Sequence, residues 1–233
     1  MLNNAVLITG AGQRIGYYLA EHFLNHTDYP VIFSYRTERP GVQTLKKSGA
    51  LGIQADFNQP GAVDDFIRQV KSQVNSLRAI IHNASVWLDD AAAQSFEQQM
   101  QLHVNLPYQL NKGLVELLYA SESADIISIS DAKVARGSAH QVAYLASKAA
   151  LQSMARSFAL AYAPKIKVND IAPALIMFNE GDDLNYRQQR LSENLMQIEP
   201  GPDVIWQTVK YIMTNNYLTG QVINLDGGRS VIN

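Results

Sequence analysis

The sequence predicts an α/β fold of the doubly wound type, with a seven-stranded parallel sheet and helices on both faces. Short apolar runs, typical of buried strands, alternate along the chain with longer stretches of helical spacing. Such alternation gives parallel strands joined by right-handed crossovers. The 233 residues suffice for one domain of this kind, and neither a linker nor an internal repeat divides them. We therefore expect residues 1–233 to form a single domain.

The individual elements follow from these patterns. Each predicted strand is a short apolar run, rich in Val and Ile, that fits a sheet covered on both faces. The strands are expected at residues 5–8, 31–33, 51–53, 79–81, 126–129, 166–168 and 221–223, and the helices at 15–24, 63–74, 96–118, 142–161 and 204–213. Residues 178–200 break the alternation because they are polar and charged. We interpret this segment as an insertion that serves as a substrate lid.

Composition excludes several classes of protein. With 47% hydrophobic and 17% charged residues, the chain resembles a globular protein rather than a disordered one. A net charge of -2 and no long run of Lys or Arg argue against nucleic acid as a partner. Cysteine is absent, which excludes disulfides and thiolate chemistry. No apolar run approaches the roughly 20 residues of a membrane span, so we expect a cytoplasmic protein without membrane attachment.

A glycine-rich turn follows the first predicted strand and leads into the first helix, with the sequence Thr-Gly-Ala-Gly-Gln-Arg-Ile-Gly over residues 9–16. At such a turn the pyrophosphate of a dinucleotide meets backbone N–H groups and a helix N-terminus. Side chains at Gly10 and Gly16 would block backbone approach or helix packing, whereas Arg14 adds a cation. The alternative is an ordinary tight turn, for which glycines are equally suited.

The end of the second strand indicates which dinucleotide would bind. A ribose with a free 2′-hydroxyl calls for Asp or Glu at this place, but the chain has Tyr35, Arg36 and Thr37. Arg36 offers a fixed fork of donors that suits a 2′-phosphate, and Thr37 adds a hydroxyl. We therefore predict NADPH as the cofactor. The alternative is that Arg36 and Arg39 only solvate a surface loop.

Two Tyr-x-x-x-Lys pairs occur, at Tyr108/Lys112 and Tyr144/Lys148. One helical turn between a phenol and an ammonium lowers the pKa of the tyrosine and suits it to proton transfer. Tyr108 lies inside a predicted long helix, away from any strand end, so we interpret it as a packing or surface residue. Tyr144 follows the strand 126–129, close to Asp131 at the end of that strand. Tyr144, Lys148 and Asp131 form the predicted catalytic set.

Asp131 and Trp87 each have a functional and a structural interpretation. A carboxylate 4 Å from the Tyr144 phenolate would repel it by about 4 kcal/mol at an effective dielectric of 20, so one of the two groups should stay protonated. Alternatively, Asp131 caps the turn that follows it. Trp87, in a loop after the fourth strand, can stack on a flat heterocycle. The alternative is that Trp87 is a buried packing residue.

Taken together, the motifs resemble the short-chain dehydrogenase/reductase family over almost the whole chain. The resemblance rests on Thr-Gly-x-x-x-Ile-Gly, His-Asn-Ala-Ser at 82–85, Asn105, the Tyr144/Lys148 pair and Asn-Leu-Asp-Gly-Gly at 224–228. Most members of that family carry Ser thirteen residues before the Tyr, where this chain has Asp131. This departure, with Arg14 and the Tyr-Arg-Thr and Asn-Ala-Ser segments, resembles the pteridine reductases within the family.

The resemblance implies a Rossmann-type domain that reduces a dihydropterin to the tetrahydro form with NADPH. The favoured substrate is 7,8-dihydromonapterin, with weaker reduction of dihydrofolate. It also implies a homotetramer built on the helices near 96–118 and 142–161, and a proton relay through Asn105. Cofactor contacts are implied for Gly10, Arg14, Ile15, Gly16, Tyr35, Arg36, Thr37, Asp56, Phe57, Asn83, Ala84, Ser85, Tyr144, Lys148, Pro173 and Leu175, and substrate contacts for Arg14, Ser85, Trp87, Asp131 and Tyr144.

Two other functions stay open at this point. One is an NADPH-dependent carbonyl reductase for 3-oxoacyl or other ketones, against which Asp131 and the polar segment 178–200 argue. The other is a non-catalytic NADPH-binding sensor, which would not need Tyr144 and Lys148. No metal site is expected, because His22 and His26 lack both the intervening Glu of a zinc-protease helix and a third ligand. We expect these two histidines at the surface.

Overall fold

The computed structural model of the chain describes residues 1–232. Its centre is a seven-stranded parallel sheet with the strand order β3-β2-β1-β4-β5-β6-β7. The strands are β1 (Ala5–Ile8), β2 (Val31–Tyr35), β3 (Leu51–Gln54), β4 (Leu77–His82), β5 (Ala124–Ile129), β6 (Ile166–Pro173) and β7 (Val222–Leu225). All seven predicted strands are confirmed, and the doubly wound fold with them. The order reverses beside β1, between β1 and β4, which opens a crevice at the carboxyl ends of these strands.

Helices cover both faces of the sheet. They are α1 (Arg14–His26), α2 (Pro40–Lys47), α3 (Ala62–Gln73), α4 (Ser95–Met100), α5 (Leu106–Gly113), α6 (Val115–Tyr119), α7 (Val142–Tyr162), α8 (Leu184–Ser192) and α9 (Asp203–Thr214). Short 3₁₀ turns lie at Ala132–Ala135 and Arg229–Val231. Two apolar clusters fill the space between helices and sheet, one around α1 and α9 and the other around α3, α5 and α7.

The prediction of one continuous helix over 96–118 is wrong. The segment divides into α4, a π-helical turn at Gln101–Asn105, α5 and α6. Pro107, in the first turn of α5, lacks the N–H that would bond to the carbonyl of His103, so a regular helix cannot continue through this point. At Leu114, with φ -112° and ψ 6°, the backbone leaves the helical conformation and separates α5 from α6.

Two helices were not expected from the sequence. α2 begins directly at Pro40, which is tolerated at a first helical position, and it contains a glycine that weakens its helical pattern. α8 lies inside the segment 178–200, and all nine of its residues are at least partly exposed. Because α8 has no apolar stripe, hydrophobic periodicity could not reveal it. Within residues 1–232, no helix combines the length and apolar character needed to cross a bilayer.

Candidate active site

A cleft of about 590 Å³ opens at the carboxyl ends of the central strands. It brings together almost every site residue predicted from the sequence, from the glycine turn after β1 to the segment that follows β6. The nominated residues that line it are Gly10, Arg14, Ile15, Gly16, Tyr35, Arg36, Thr37, Asp56, Phe57, Asn83, Ala84, Ser85, Trp87, Asp131, Tyr144, Lys148, Pro173 and Leu175. Of the site residues predicted from the sequence, only Asn105 does not line the cleft.

The glycine turn is packed so tightly that side chains are excluded at two positions. A Cβ at Gly10 would lie 2.9 Å from the Cα of Ala84, and one at Gly16 would lie 2.4 Å from Nδ2 of Asn83. The Asn83 amide donates hydrogen bonds to the carbonyls of Thr9 and Gly10, both at 3.0 Å. Asn83 therefore fixes the conformation of the turn. The backbone at this turn is open to a ligand's phosphates, as expected for a dinucleotide site.

The far end of the cleft carries the residues expected to distinguish NADPH from NADH. Arg36 and Thr37 are exposed at the end of β2. Within residues 1–232, the Arg36 guanidinium makes no hydrogen bond, so its donors are free for a ligand. The neighbouring Tyr35, in contrast, has a protein partner, because Lys46 Nζ donates to its hydroxyl at 2.7 Å. At the end of β2, a guanidinium without a protein partner in the described part of the chain fits the 2′-phosphate of NADP.

Arg14 connects the glycine turn to the segment 178–200. Its φ of 53° is left-handed, which is uncommon for a side chain other than glycine. The guanidinium donates to the side-chain oxygen of Asn179 and, at 3.2 Å, to the carbonyl of Met177. The segment that follows β6 is thus tied to the cofactor end of the cleft by a residue that itself lines the cleft.

Asp131 makes two hydrogen bonds at once, one as a cap of the following turn and one to Tyr144. Both alternatives predicted from the sequence for this residue therefore occur together. Its Oδ1 accepts a hydrogen bond from the backbone N–H of Lys133 at 2.7 Å, which caps the following 3₁₀ turn. Its Oδ2 accepts from the Tyr144 hydroxyl at 3.3 Å. The cap fixes the carboxylate, and the second oxygen faces the phenol across the cleft.

The pKa of Tyr144 is raised, so the prediction that Lys148 would lower it is wrong for this structure. Burial raises it most, the charge of Asp131 and the hydrogen bond to it raise it further, and only the Ser85 hydroxyl acts in the opposite direction. Lys148 is not among the groups that shift this pKa. Its Nζ lies 5.7 Å from the ring centre of Tyr144 and donates to the carbonyl of Ile129 at 2.9 Å. Tyr144 is therefore protonated at neutral pH.

Lys148 is almost completely buried, and burial lowers its pKa to about 8, while Asp170 and Asp131 oppose this shift. Asp170 on β6 was not foreseen. Burial raises the pKa of Asp170 to about 7, its Oδ2 accepts from Ser130, and Ser130 in turn accepts from Gln152 at 2.9 Å. The buried ammonium of Lys148 thus has an acidic neighbour beneath the cleft floor.

His103 is the second residue that sequence reasoning did not identify as part of the site. It is 1% exposed, and its ring lies edge-on to Tyr144 with centroids 5.6 Å apart. Nε2 lies 2.9 Å from the Ser85 hydroxyl oxygen, and Nδ1 lies 2.8 Å from that of Ser147. Burial, with a smaller effect of Lys148, lowers the pKa of His103 to about 2, so the ring is neutral.

Asn105 and Trp87 differ in how well their positions suit the predicted roles. The Asn105 side chain donates to Gln101 at 2.7 Å and accepts from Gln109 at 3.0 Å, away from the cleft. A relay through Asn105 stays a prediction. Trp87 is 53% exposed and lines the cleft, so the alternative of a buried packing residue is wrong.

His22 was expected at the surface but is partly buried. Its ring stacks on that of Tyr18, with the two ring centroids 3.8 Å apart.

Comparisons with known proteins agree with this arrangement. A family model described as short chain dehydrogenase matches residues 4–185. A dihydromonapterin reductase from Klebsiella pneumoniae subsp. pneumoniae is 50% identical over 230 residues, covering 96% of this chain and 95% of that protein. One from Citrobacter koseri is 47% identical with the same coverage. The structure of FolM, alternative dihydrofolate reductase 1, from Brucella suis in complex with NADP matches with TM-score 0.87 and 28% identity, covering 100% of this chain and 97% of that one.

Proposed function

This chain belongs to the short-chain dehydrogenase family, and on that premise we propose that it is an NADPH-dependent reductase of dihydropterins. The reaction is hydride transfer to a carbon–nitrogen double bond, with 7,8-dihydromonapterin as the main substrate and dihydrofolate as a weaker one. The observation that carries this proposal is the contact of Tyr144 with Asp131 inside the cleft, in a chain about half identical to dihydromonapterin reductases.

NADPH fits the glycine turn and the end of β2. Gly10 and Gly16 leave the backbone accessible, Arg14 brings a cation close to the phosphates, and Arg36 and Thr37 offer donors to a 2′-phosphate. The other residues proposed to contact the cofactor are Ile15, Tyr35, Asp56, Phe57, Asn83, Ala84, Ser85, Tyr144, Lys148, Pro173 and Leu175. When bound, NADPH supplies the hydride. The protein's own contribution is positioning and control of protons.

The substrate is proposed to lie between the cofactor site and Trp87. An exposed indole on the wall of a cleft provides a large face on which a pterin ring can stack. Ser85, Arg14 and Asp131 surround this position with polar groups. Such a lining suits a heterocycle with several nitrogens better than an aliphatic ketone, because each polar group that the bound ring covers then finds a partner.

Protons are handled by Tyr144 and Asp131 together. The raised pKa of Tyr144 keeps a proton on its hydroxyl oxygen, and Asp131 Oδ2 holds that proton in a 3.3 Å contact. A ring nitrogen that gains electron density on reduction needs a proton, and this pair provides one at the cleft wall. Lys148 is a buried cation at the cleft, and its positive charge favours electron-rich groups bound there. It is also proposed to hold the cofactor ribose.

Two further parts of the proposal concern the rest of the chain. The segment 178–200 is proposed to act as a lid, since every residue of α8 is at least partly exposed and Arg14 ties the start of the segment to the cleft. A homotetramer is proposed to form through α4 to α7, where several large apolar side chains are exposed: Phe96, Tyr108, Tyr119, Val142 and Leu160.

Replacement of Tyr144 by Phe tests the proposed chemistry. It removes the acidic hydroxyl and keeps the ring, so we expect dihydropterin-dependent oxidation of NADPH to fall by about two orders of magnitude or more, in line with loss of a general acid. NADPH binding, measured by fluorescence titration, should stay within about threefold, a change under 1 kcal/mol. Tyr108→Phe, in the other Tyr-x-x-x-Lys pair, is the matched control. Unchanged turnover in Tyr144→Phe would refute the catalytic assignment.

A further inference from the structure

His103 lies beneath the loop that follows β4, outside the direct lining of the cleft, and contacts three groups. Nε2 is 3.2 Å from the backbone nitrogen of Val86 and 2.9 Å from the Ser85 hydroxyl oxygen. Nδ1 is 2.8 Å from the Ser147 hydroxyl oxygen. Ser147 donates its own proton to the carbonyl of Tyr144 at 2.7 Å. These contacts connect the loop after β4 with the first turns of α7.

The contacts determine where the protons lie. The Val86 N–H is an obligatory donor, so Nε2 must be the unprotonated nitrogen of the neutral ring. Nδ1 then carries the proton and donates to Ser147, which can accept because its own proton is committed to Tyr144. With Nε2 an acceptor, the Ser85 hydroxyl must be the donor in the remaining contact.

In this arrangement the Ser85 proton is directed to Nε2 of His103 and not to the neighbouring Tyr144 hydroxyl, so the Ser85 oxygen offers the cleft lone pairs and no proton. Ser85 is exposed and lines the cleft close to Tyr144 and Trp87. We propose that His103 is a positioning residue that presents Ser85 to the cleft as a hydrogen-bond acceptor and thereby selects a substrate with an N–H group at that place.

The inference rests on the proposed function for the identity of the substrate. A dihydropterin carries N–H donors on its ring and on its exocyclic amino group, whereas a simple ketone carries none. An acceptor in the site that finds no donor costs binding free energy, because it has lost its water without gaining a partner. An ordinary serine can rotate its hydroxyl to donate or to accept. The Ser85 hydroxyl cannot donate to a substrate as long as it donates its proton to Nε2 of His103.

A set of four variants tests this role. His103→Leu removes the acceptor and frees the Ser85 proton, so we expect KM for the dihydropterin to rise about tenfold, or about 1.4 kcal/mol, with kcat within about threefold. His103→Gln can accept through Oε1 and donate through Nε2, and should restore KM to within about threefold of the wild type. Ser85→Ala should raise KM as much as His103→Leu does. The double variant should be no worse than either single one, since both changes remove the same interaction.

Gln99→Leu is the matched control. Gln99 is buried on α4, the helix that precedes His103, and it contacts Leu88 in the same loop and Ser95 rather than Ser85. It should lower thermal stability and leave KM unchanged. Equal KM increases in Gln99→Leu and His103→Leu, or fully additive effects of His103→Leu and Ser85→Ala, would overturn the inference, because either result would assign His103 to loop packing alone.

The failure of this inference is distinguishable from failure of the proposed function. A wild-type protein that does not turn over dihydropterins overturns the proposed function and the substrate part of the inference with it. An active wild type whose KM is unaffected by His103→Leu overturns the inference alone. As a check that does not depend on activity, nitrogen NMR of the wild type should show a proton on Nδ1 and none on Nε2 of His103. The opposite tautomer would overturn the inference directly.

Discussion

Replacement of Asp131 by Asn removes one negative charge from the site and keeps the size and shape of the side chain. The amide oxygen can still accept from the Lys133 N–H, so the cap of the 3₁₀ turn is kept. What changes is the group 3.3 Å from the Tyr144 hydroxyl oxygen: a neutral NH₂, which cannot accept the Tyr144 hydrogen bond, replaces the negatively charged Oδ2. Both Tyr144 and Lys148 have pKa values that Asp131 raises, so the substitution lowers the pKa of each.

The expected size of the effect follows from Coulomb's law. At 3.3 Å and an effective dielectric of 20, a phenolate and a carboxylate repel each other by about 5 kcal/mol, which corresponds to between about 3 and 4 pKa units for Tyr144. Asp131 is partly exposed, and solvent reduces this figure. We therefore expect a decrease of at least about one unit.

The assay is kcat/KM for the dihydropterin as a function of pH, which reports the ionising groups of the free enzyme. In the wild type, the alkaline limb should follow deprotonation of Lys148, whose pKa is about 8. In Asp131→Asn the alkaline limb should move to lower pH, because Tyr144 and Lys148 both lose their protons more easily without the negative charge of Asp131. Asp90→Asn is the control, since Asp90 accepts from Val142 and Ala143 at the start of α7 and does not contact Tyr144. An alkaline limb that stays in place or moves to higher pH in Asp131→Asn would refute the electrostatic argument.

Three further substitutions test other parts of the site. Gly16→Ala places a Cβ 2.4 Å from Asn83 Nδ2, and thermal unfolding should show a loss of about 1–3 kcal/mol together with weaker NADPH binding; a fully stable variant with normal binding would contradict the packing argument. Arg36→Ala should weaken NADPH binding by about 1.5–3 kcal/mol and leave NADH binding unchanged in fluorescence titrations, whereas equal losses for both cofactors would argue against a 2′-phosphate contact. Trp87→Ala should raise KM for the dihydropterin about tenfold in steady-state assays without changing NADPH affinity, and an unaltered KM would exclude stacking on this residue.

The sheet could be predicted from the sequence because its strands are buried on both faces. Every residue of β1, β2, β4 and β5 is buried, and each strand contains a run of at least two consecutive apolar residues that the sequence shows. The glycine turn and the Tyr144/Lys148 pair were equally visible, since both are local patterns. α8 was not, because helical periodicity is a signal of burial and this helix is exposed.

The hydrogen-bond partners of the site could not be predicted in the same way. For Asp131 the sequence offered two alternatives, a partner of Tyr144 or a cap of the following turn, but it did not show that the two carboxylate oxygens make both contacts at once. The pKa of Tyr144 was expected to fall because Lys148 follows it by one turn. Burial and Asp131 dominate instead, and neither can be quantified before the fold is known.

One signal in the sequence could have identified His103. Leu106 and Leu110 mark the buried side of the helix after the π-helical turn, and steps of three and then four residues backwards reach His103 and Gln99. Both are almost completely buried, although both are polar. A polar residue on an otherwise apolar face must find hydrogen-bond partners, and those of His103 are the serines that connect the loop after β4 to α7.

The central claim is that this cleft reduces dihydropterins with NADPH, and a parallel turnover measurement tests it most directly. Purified protein is supplied with NADPH and, separately, with dihydromonapterin, dihydrobiopterin, dihydrofolate and a simple ketone, and loss of NADPH absorbance is followed. We predict rapid turnover of dihydromonapterin, much slower turnover of dihydrofolate and none of the ketone. Activity on the ketone alone would contradict the account and leave the contact of Asp131 with Tyr144 without a function.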